Sequence, residues 1–132
     1  MCGIVGYVGN DAPQGIIIEG LKKLEYRGYD SAGIAVVSDG EIELRKHVGA
    51  IVNLEKLIGK ENLGGHVGIG HTRWATHGAP SDVNSHPHMS ADNRVALVHN
   101  GTIENYVELR TALEDEGIGF KSDTDSEVAA VL

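Results

Sequence analysis

The only cysteine of the chain, Cys2, stands directly after Met1. Loss of Met1 would leave this residue with a free α-amine beside its own thiol. An α-amine has a pKa of roughly 7.7–8.0 and a thiol one of roughly 8.5, so the neutral amine can take the thiol proton, directly or through a water. A terminal amine that activates its own side chain is an established way to make a nucleophile. An arbitrary cysteine is more often a small buried residue, and it is the position that favours a nucleophile here.

Three further stretches carry groups that could serve such a nucleophile. Asn100-Gly101 offers a side-chain amide and an unhindered backbone N–H, the donors from which an oxyanion hole is built. Arg73 offers a planar fork that suits a carboxylate, and Trp74 beside it could close over a bound molecule. Asp125 offers an anion for an ammonium group. Each also has a plain structural interpretation, respectively a turn, a surface arginine with a half-buried tryptophan, and a helix N-cap.

The seven histidines raise the question of a metal site. One cysteine and irregular histidine spacing match no strong zinc pattern, so histidines packed in a loop are favoured, and neither a metal nor a cofactor is expected. A non-catalytic, histidine-rich metal-binding module stays open as an alternative. Its candidate ligands are His71, His77, His86 and His88, to which His99 could add another.

Composition narrows the class of protein. A chain of 132 residues with 41% hydrophobic side chains fits one modest domain with a real core. Its net charge of -8 is a poor electrostatic match for nucleic acid or for an anionic membrane, and we expect neither as a partner. The first residues lack a basic segment and a long apolar run, which argues against a signal peptide, and a lone cysteine fits a reducing compartment. A cytoplasmic protein is expected.

Periodicity and turn chemistry predict the elements that must position these residues. Strands are expected over 2–8, 33–37, 41–48, 66–72 and 95–99, with an Asp-Gly hairpin turn at 38–40. Helices are expected over 11–26, 51–58, 102–117 and from 125 onward, with Asp11 and Thr102 as N-caps. The polar, aperiodic residues 73–93 are expected to form a long functional loop. Paired strands with helices between them predict an α+β fold with antiparallel sheet.

Six short motifs occur in a fixed order along the chain: MCGIVG, LEYRGYDSAG, GHTRWATHG, NSHPH, VHNGTIEN and SDTDSEV. Together they closely resemble the glutaminase domain of the glutamine–fructose-6-phosphate aminotransferase (glucosamine-6-phosphate synthase) family. These are class II, N-terminal-nucleophile amidotransferases. Related families that serve phosphoribosylpyrophosphate or aspartate share CGI and a later NG but differ around YRGYD and TRWATHG. A glutaminase domain serving one of those acceptors is therefore the alternative.

The resemblance implies a role for each matching position. Cys2 would be the nucleophile that takes the γ-glutamyl group, with Asn100 and Gly101 as its oxyanion hole. Arg73 would clamp the α-carboxylate of glutamine, and Asp125 would pair with the α-amine. The remaining matches are Trp74 at the lid, Thr76 and His77 in the substrate-binding loop, Arg27 where the N-terminus is ordered, and His86 near the pocket.

The resemblance also implies a four-layer αββα sandwich, the N-terminal-nucleophile hydrolase fold. Residues 1–132 would be the N-terminal part of the glutaminase domain, with the sandwich incomplete at its C-terminal end and the two sugar isomerase domains of the family absent from this chain. The implied activity is glutamine hydrolysis through a thioester on Cys2. In the full-length enzyme, implied to be a homo-oligomer, the ammonia converts fructose 6-phosphate to glucosamine 6-phosphate. A glutamine-binding fragment without catalysis is a further alternative.

Overall fold

A four-stranded antiparallel sheet forms the centre of the computed structural model, which describes residues 2–75 and 78–132. Its spatial order is β1-β4-β2-β3, and the strands are β1 (Gly3–Val8), β2 (Ser31–Ser38), β3 (Glu41–Val48) and β4 (Val67–Arg73). A second, two-stranded ribbon pairs β5 (His88–Met89) with β6 (Ala96–Leu97). The helices are α1 (Pro13–Leu24), α2 (Ile51–Ile58), α3 (Tyr106–Asp115) and α4 (Asp125–Val131), and a 3-10 turn over Glu25–Arg27 follows α1.

One face of the large sheet packs directly onto helix α1. Gly68 and Gly70 of β4 lie under this helix, where an added Cβ would collide with the side chain of Ile17. The missing side chains let the helix approach, so that Ile17 and Leu21 are fully buried at 0% exposure. With α2, this helix closes the apolar core of the chain. Burial of one such side chain stabilises a fold by about 1.5–3 kcal/mol.

The opposite face of the large sheet is covered by the ribbon. Side chains alternate along a strand, so residues next to the glycines of β4 point away from α1. On this side the carbonyl oxygen of His86 lies directly against Gly33, where any Cβ would collide with it. Helix α4 packs on β5 and β6, and α3 packs on α4. The order of helix, sheet, sheet and helix confirms the α+β class and the four-layer αββα sandwich.

Several predicted elements are confirmed at their predicted bounds. The strand over 41–48 and the helix over 51–58 coincide with β3 and α2. The hairpin turn between β2 and β3 is confirmed as well. Asp39 and Gly40 both adopt positive φ, 52° and 76°, which is the conformation that a two-residue hairpin turn requires.

Other predicted bounds differ from the observed ones, and in three cases a hydrogen bond explains the difference. Helix α1 begins at Pro13 with Ala12 as N-cap, because the N–H of Asp11 turns back to the hydroxyl of Tyr7 at 3.0 Å. Helix α3 begins at Tyr106, not after Thr102, because the preceding turn is engaged with α4. The strand expected over 95–99 shrinks to Ala96–Leu97, because the N–H of His99 points to the His86 ring at 3.4 Å.

The described residues of the long polar segment over 73–93, which leave out 76 and 77, are largely irregular as predicted, although they include the short strand β5. Across the described residues, 2–75 and 78–132, no helix has both the length and the apolar character needed to cross a membrane.

Candidate active site

A cavity of about 470 Å³ opens beside Cys2 and gathers residues that are far apart in sequence. The sequence-predicted residues that line it are Cys2, Arg27, Arg73, Trp74, His86, Asn100, Gly101 and Asp125. Thr76 and His77, predicted for the substrate-binding loop, lie outside the described residues. The structure thus brings the predicted residues that it describes to one place, and their roles stay a prediction.

Strands β1 and β4 place Cys2 at the wall of this cavity. Gly3 pairs with Thr72, and its N–H donates to the Thr72 hydroxyl at 3.1 Å, which fixes the start of β1. The Cys2 thiol contacts the backbone of Trp74, the residue that follows β4. The N–H of Trp74 points to the Cys2 Sγ at 3.1 Å, and the thiol lies 3.5 Å from the Trp74 carbonyl oxygen. A backbone N–H aimed at sulfur stabilises negative charge that develops there.

The Asn100 side chain bridges Cys2 to strand β4 behind it. Its Nδ2 donates to the carbonyl oxygen of Cys2 at 3.0 Å, and its Oδ1 lies 2.9 Å from Nε2 of His71. Gly101 follows with φ 146°, a conformation that residues with a side chain rarely adopt. The amide donor and the exposed glycine backbone therefore stand next to the residue that carries the thiol.

Arg73 supplies a cation that is almost fully withdrawn from solvent, at 3% exposure. Its guanidinium donates to the carbonyl oxygens of Gly78 at 2.8 Å and Ala79 at 3.3 Å. Burial lowers the pKa of this guanidinium, and the nearby carboxylates of Asp30 and Asp125 oppose that shift. Gly28 permits the arrangement, because a Cβ there would lie 2.7 Å from the Arg73 carbonyl carbon.

Asp125, the first residue of α4, supplies the opposite charge and is 3% exposed. Its Oδ2 accepts the N–H of Ile103 at 2.7 Å, so α4 and the segment after Gly101 hold each other in place. Glu127 anchors the turn before the helix, with its carboxylate accepting the N–H groups of Ser122 at 2.7 Å and Lys121 at 2.9 Å. The cavity therefore has a fixed cation and a fixed anion, which are the charges complementary to the α-carboxylate and α-ammonium of a free amino acid.

A ladder of three buried histidine rings stands behind the cavity. The rings of His71 and His86 are stacked at 4.1 Å, and His88 meets His86 edge-on at 4.6 Å. His88 Nε2 lies 2.7 Å from the Thr124 hydroxyl. Burial lowers the pKa of His71 to about 4 and that of His88 to about 3. It also lowers the pKa of His86 far below its ordinary value.

The rings of the ladder contact one another rather than converge on a common point. Within the part of the chain that the structure describes, no group of three His, Cys, Asp or Glu side chains is placed to hold a metal ion. The buried rings contribute packing and hydrogen bonds at neutral pH, since their lowered pKa values keep them uncharged.

Lys46 and Asn84 secure the loop that carries His86. The Lys46 Nζ donates to the carbonyl oxygens of Ser85 at 2.8 Å and Pro87 at 3.2 Å. Burial lowers the pKa of this ammonium to about 8. Asn84 joins the loop to the segment before α4, accepting the N–H of Asp123 at 2.9 Å. The loop therefore has a defined path although it lacks regular structure.

Four residues that line the cavity were not predicted for this site: His99, considered only as a metal ligand, Thr102, considered only as an N-cap, and Thr124 and Ser126. Each stands next to a predicted site residue along the chain, and that adjacency was the available signal. Sequence reasoning also missed the contact of His71 with Asn100, having considered His71 only as a metal ligand. The signal for His71 was its place two residues before Arg73, which puts both side chains on one face of β4.

Comparisons with known proteins agree with this geometry. Residues 58–132, more than half of the chain, match the family model of a glutamine amidotransferase domain. The chain is 58% identical over 128 residues to a Clostridium acetobutylicum protein named glutamine–fructose-6-phosphate aminotransferase [isomerizing], covering 97% of this chain and 21% of that protein. A Methanosarcina acetivorans protein of the same name is 64% identical over 134 residues, covering 100% of this chain and 21% of its own length. The chain therefore spans about a fifth of the length of these curated relatives.

Solved structures show the same fold. The glutamine phosphoribosylpyrophosphate amidotransferase from B. subtilis, complexed with ADP and GMP, superposes with a TM-score of 0.79 at 31% identity, covering 96% of this chain and 28% of that one. A structure titled as the allosteric regulatory enzyme of purine biosynthesis reaches a TM-score of 0.83 at 30% identity with the same coverage. With the family match and the cavity around Cys2, these similarities lead to one conclusion: the chain belongs to the glutamine amidotransferase domain family.

Proposed function

We propose that this chain hydrolyses the side-chain amide of glutamine through a thioester on Cys2. The observation that carries the proposal is the cavity, in which the thiol shares one lining with buried Arg73 and buried Asp125. An α-carboxylate on Arg73 and an α-ammonium on Asp125 would fix one end of glutamine. The amide at the other end would then be free to reach the sulfur.

The residues supply each step of the reaction. With Met1 removed, the α-amine of Cys2 takes the thiol proton, and the thiolate attacks the amide carbon, forming a C–S bond. The Asn100 amide and the Gly101 N–H stabilise the oxyanion. The adduct collapses as the α-ammonium returns its proton to the leaving nitrogen, and ammonia departs. Water then attacks the thioester, the C–S bond breaks, glutamate leaves, and the thiol regains its proton.

We further propose the acceptor of the ammonia by similarity. The relatives named for fructose 6-phosphate are 58% and 64% identical to this chain, whereas the B. subtilis enzyme named for phosphoribosylpyrophosphate is 31% identical. This difference favours fructose 6-phosphate as the acceptor and glucosamine 6-phosphate as the product of the full-length protein. On this proposal, residues 1–132 are the N-terminal part of its glutaminase domain. The protein acts as a cytoplasmic homo-oligomer, with the sugar bound by sugar isomerase domains.

A γ-glutamyl affinity label tests the mechanism. The full-length protein, with a native N-terminus, is treated with a diazoketone analogue of glutamine and digested for mass spectrometry. The expected result is one adduct on Cys2, with matching loss of ammonia release, and Cys2→Ser should not be labelled. An adduct elsewhere, or none in folded protein, would refute the proposal.

The role of the terminal amine has its own test. A short peptide tag left before Cys2 should abolish hydrolysis, because the amine becomes an amide that cannot accept a proton. Undiminished ammonia release from the tagged protein would exclude the amine as the base. Stoichiometric zinc that survives dialysis, together with no glutamine turnover, would instead favour the metal-binding module.

A further inference from the structure

We propose that His71 is a positioning residue for this hydrolysis, because it fixes which end of the Asn100 amide faces Cys2. The inference rests on the proposed function. His71 lies behind the cavity on β4, with 0% of its surface exposed. Its Nε2 lies 2.9 Å from Asn100 Oδ1.

The contact with the carbonyl oxygen of Cys2 identifies which end of the Asn100 amide faces it. A carbonyl oxygen only accepts hydrogen bonds, so the Asn100 atom that lies 3.0 Å from it must be the donor Nδ2. The amide oxygen Oδ1 then faces His71. Because Oδ1 is also an acceptor, the His71 Nε2 opposite it must carry a proton. The network therefore assigns one tautomer to this ring.

The surroundings of His71 keep the ring neutral and fixed. Burial lowers its pKa to about 4, and the charge of Arg73 on the same strand lowers it further. Hydrogen bonds to Asn100 and to the backbone of His99 act in the other direction but are outweighed. Stacking on His86 at 4.1 Å, with 18° between the planes, restricts rotation of the ring. A neutral ring with its single proton on Nε2 can only donate to Asn100.

Loss of this donor would remove one of the two hydrogen bonds that orient the amide. An asparagine amide can rotate by half a turn, and Oδ1 would then face the place where the oxyanion forms. An acceptor there repels the developing charge instead of stabilising it. Removal of an oxyanion donor costs about 100- to 1,000-fold in kcat, which sets the upper bound. Loss of one ordinary hydrogen bond corresponds to roughly tenfold, which sets the lower bound.

Kinetics of His71→Phe and His71→Gln on the full-length protein test the inference. Phe keeps the ring without the donor, and Gln keeps a donor without the ring. We expect His71→Phe to lower kcat by about 10- to 1,000-fold with little change in KM for glutamine. His71→Gln should recover most of that loss. Equal losses in both variants, or a change confined to KM, would contradict a role through the amide.

A double substitution separates positioning from simple packing. If His71 acts through Asn100, His71→Phe should cause no further loss of kcat once Asn100→Ala is present. Losses that multiply would overturn the inference.

Nitrogen-15 NMR of labelled histidine reads the tautomer directly, whether or not the protein turns over glutamine. A protonated Nε2 whose signal moves in Asn100→Ala supports the inference. A proton on Nδ1 overturns it even in an active enzyme. Absence of glutaminase activity in a protein with the expected tautomer would refute the proposed function alone.

Discussion

Acid should destabilise this fold through the buried histidine ladder, and His71 allows the effect to be isolated. Its pKa falls from an ordinary 6.5 to about 4, chiefly because the ring is buried. Between these two values the unfolded chain binds more protons than the folded one, so the free energy of unfolding rises with pH across this window and is lost as pH falls. At about pH 5 the unfolded ring is mostly charged while the folded ring stays mostly neutral. The resulting penalty is about 2 kcal/mol relative to pH 8.

Urea unfolding followed by circular dichroism measures this penalty. His71→Gln cannot titrate, so between pH 8 and pH 5 the wild-type chain should lose about 2 kcal/mol more stability than this variant, at an unchanged m value. His66→Gln is the matched control, because it makes the same substitution at a histidine that is solvent-exposed in the folded chain. Curves for wild type and His71→Gln that stay within about 0.5 kcal/mol of each other would show that burial of the ring does not control its protonation.

Two substitutions test the cavity and the packing behind it. Asp125→Asn keeps an oxygen that can accept the Ile103 N–H but removes the negative charge. KM for glutamine should therefore rise roughly 30-fold or more with little loss of stability. A KM within threefold of the wild-type value would contradict a role for Asp125 as anchor of the α-ammonium. Gly33→Ala puts a Cβ into the His86 carbonyl oxygen and should destabilise the chain by about 1–3 kcal/mol in thermal or urea unfolding. Gly6→Ala, with nothing within 4 Å of its added Cβ, is the control, and equal stability of the two variants would refute the close contact.

The sheet and its hairpin were predictable because their signals are local. Alternation of polar and apolar residues over 41–48 and the Asp39-Gly40 pair are both patterns of neighbouring residues. The strand and the turn that they predict are both present in the structure. The predicted caps failed for the opposite reason. Thr102 is a residue type that often caps helices, yet here it lines the cavity. The N–H of Ile103 instead donates to the carboxylate of Asp125, 22 residues away. Long-range hydrogen bonds of this kind have no local signature.

The candidate site was predictable as a set of residues but not as a geometry. Motif resemblance selected Cys2, Arg73 and Asp125, and the structure places all three around one cavity. The residues that hold these side chains in place could not be predicted from the sequence in the same way. The His71 ring was considered for metal binding because histidine type alone does not distinguish a ligand from a hydrogen-bond donor. Only its 2.9 Å distance to Asn100 makes that distinction.

Strand β4 makes the candidate site sensitive to the number of residues in the chain as well as to their types. Gly68 and Gly70 face helix α1, while His71 and Arg73 face the other layer. A single inserted or deleted residue in this strand would exchange the two faces. Arg73 would then point into the apolar core beneath α1. Gly68 and Gly70 would face the ribbon instead, and α1 would lose the space that they provide. The number of residues in β4 is therefore as much a requirement of the cavity as the identity of its side chains.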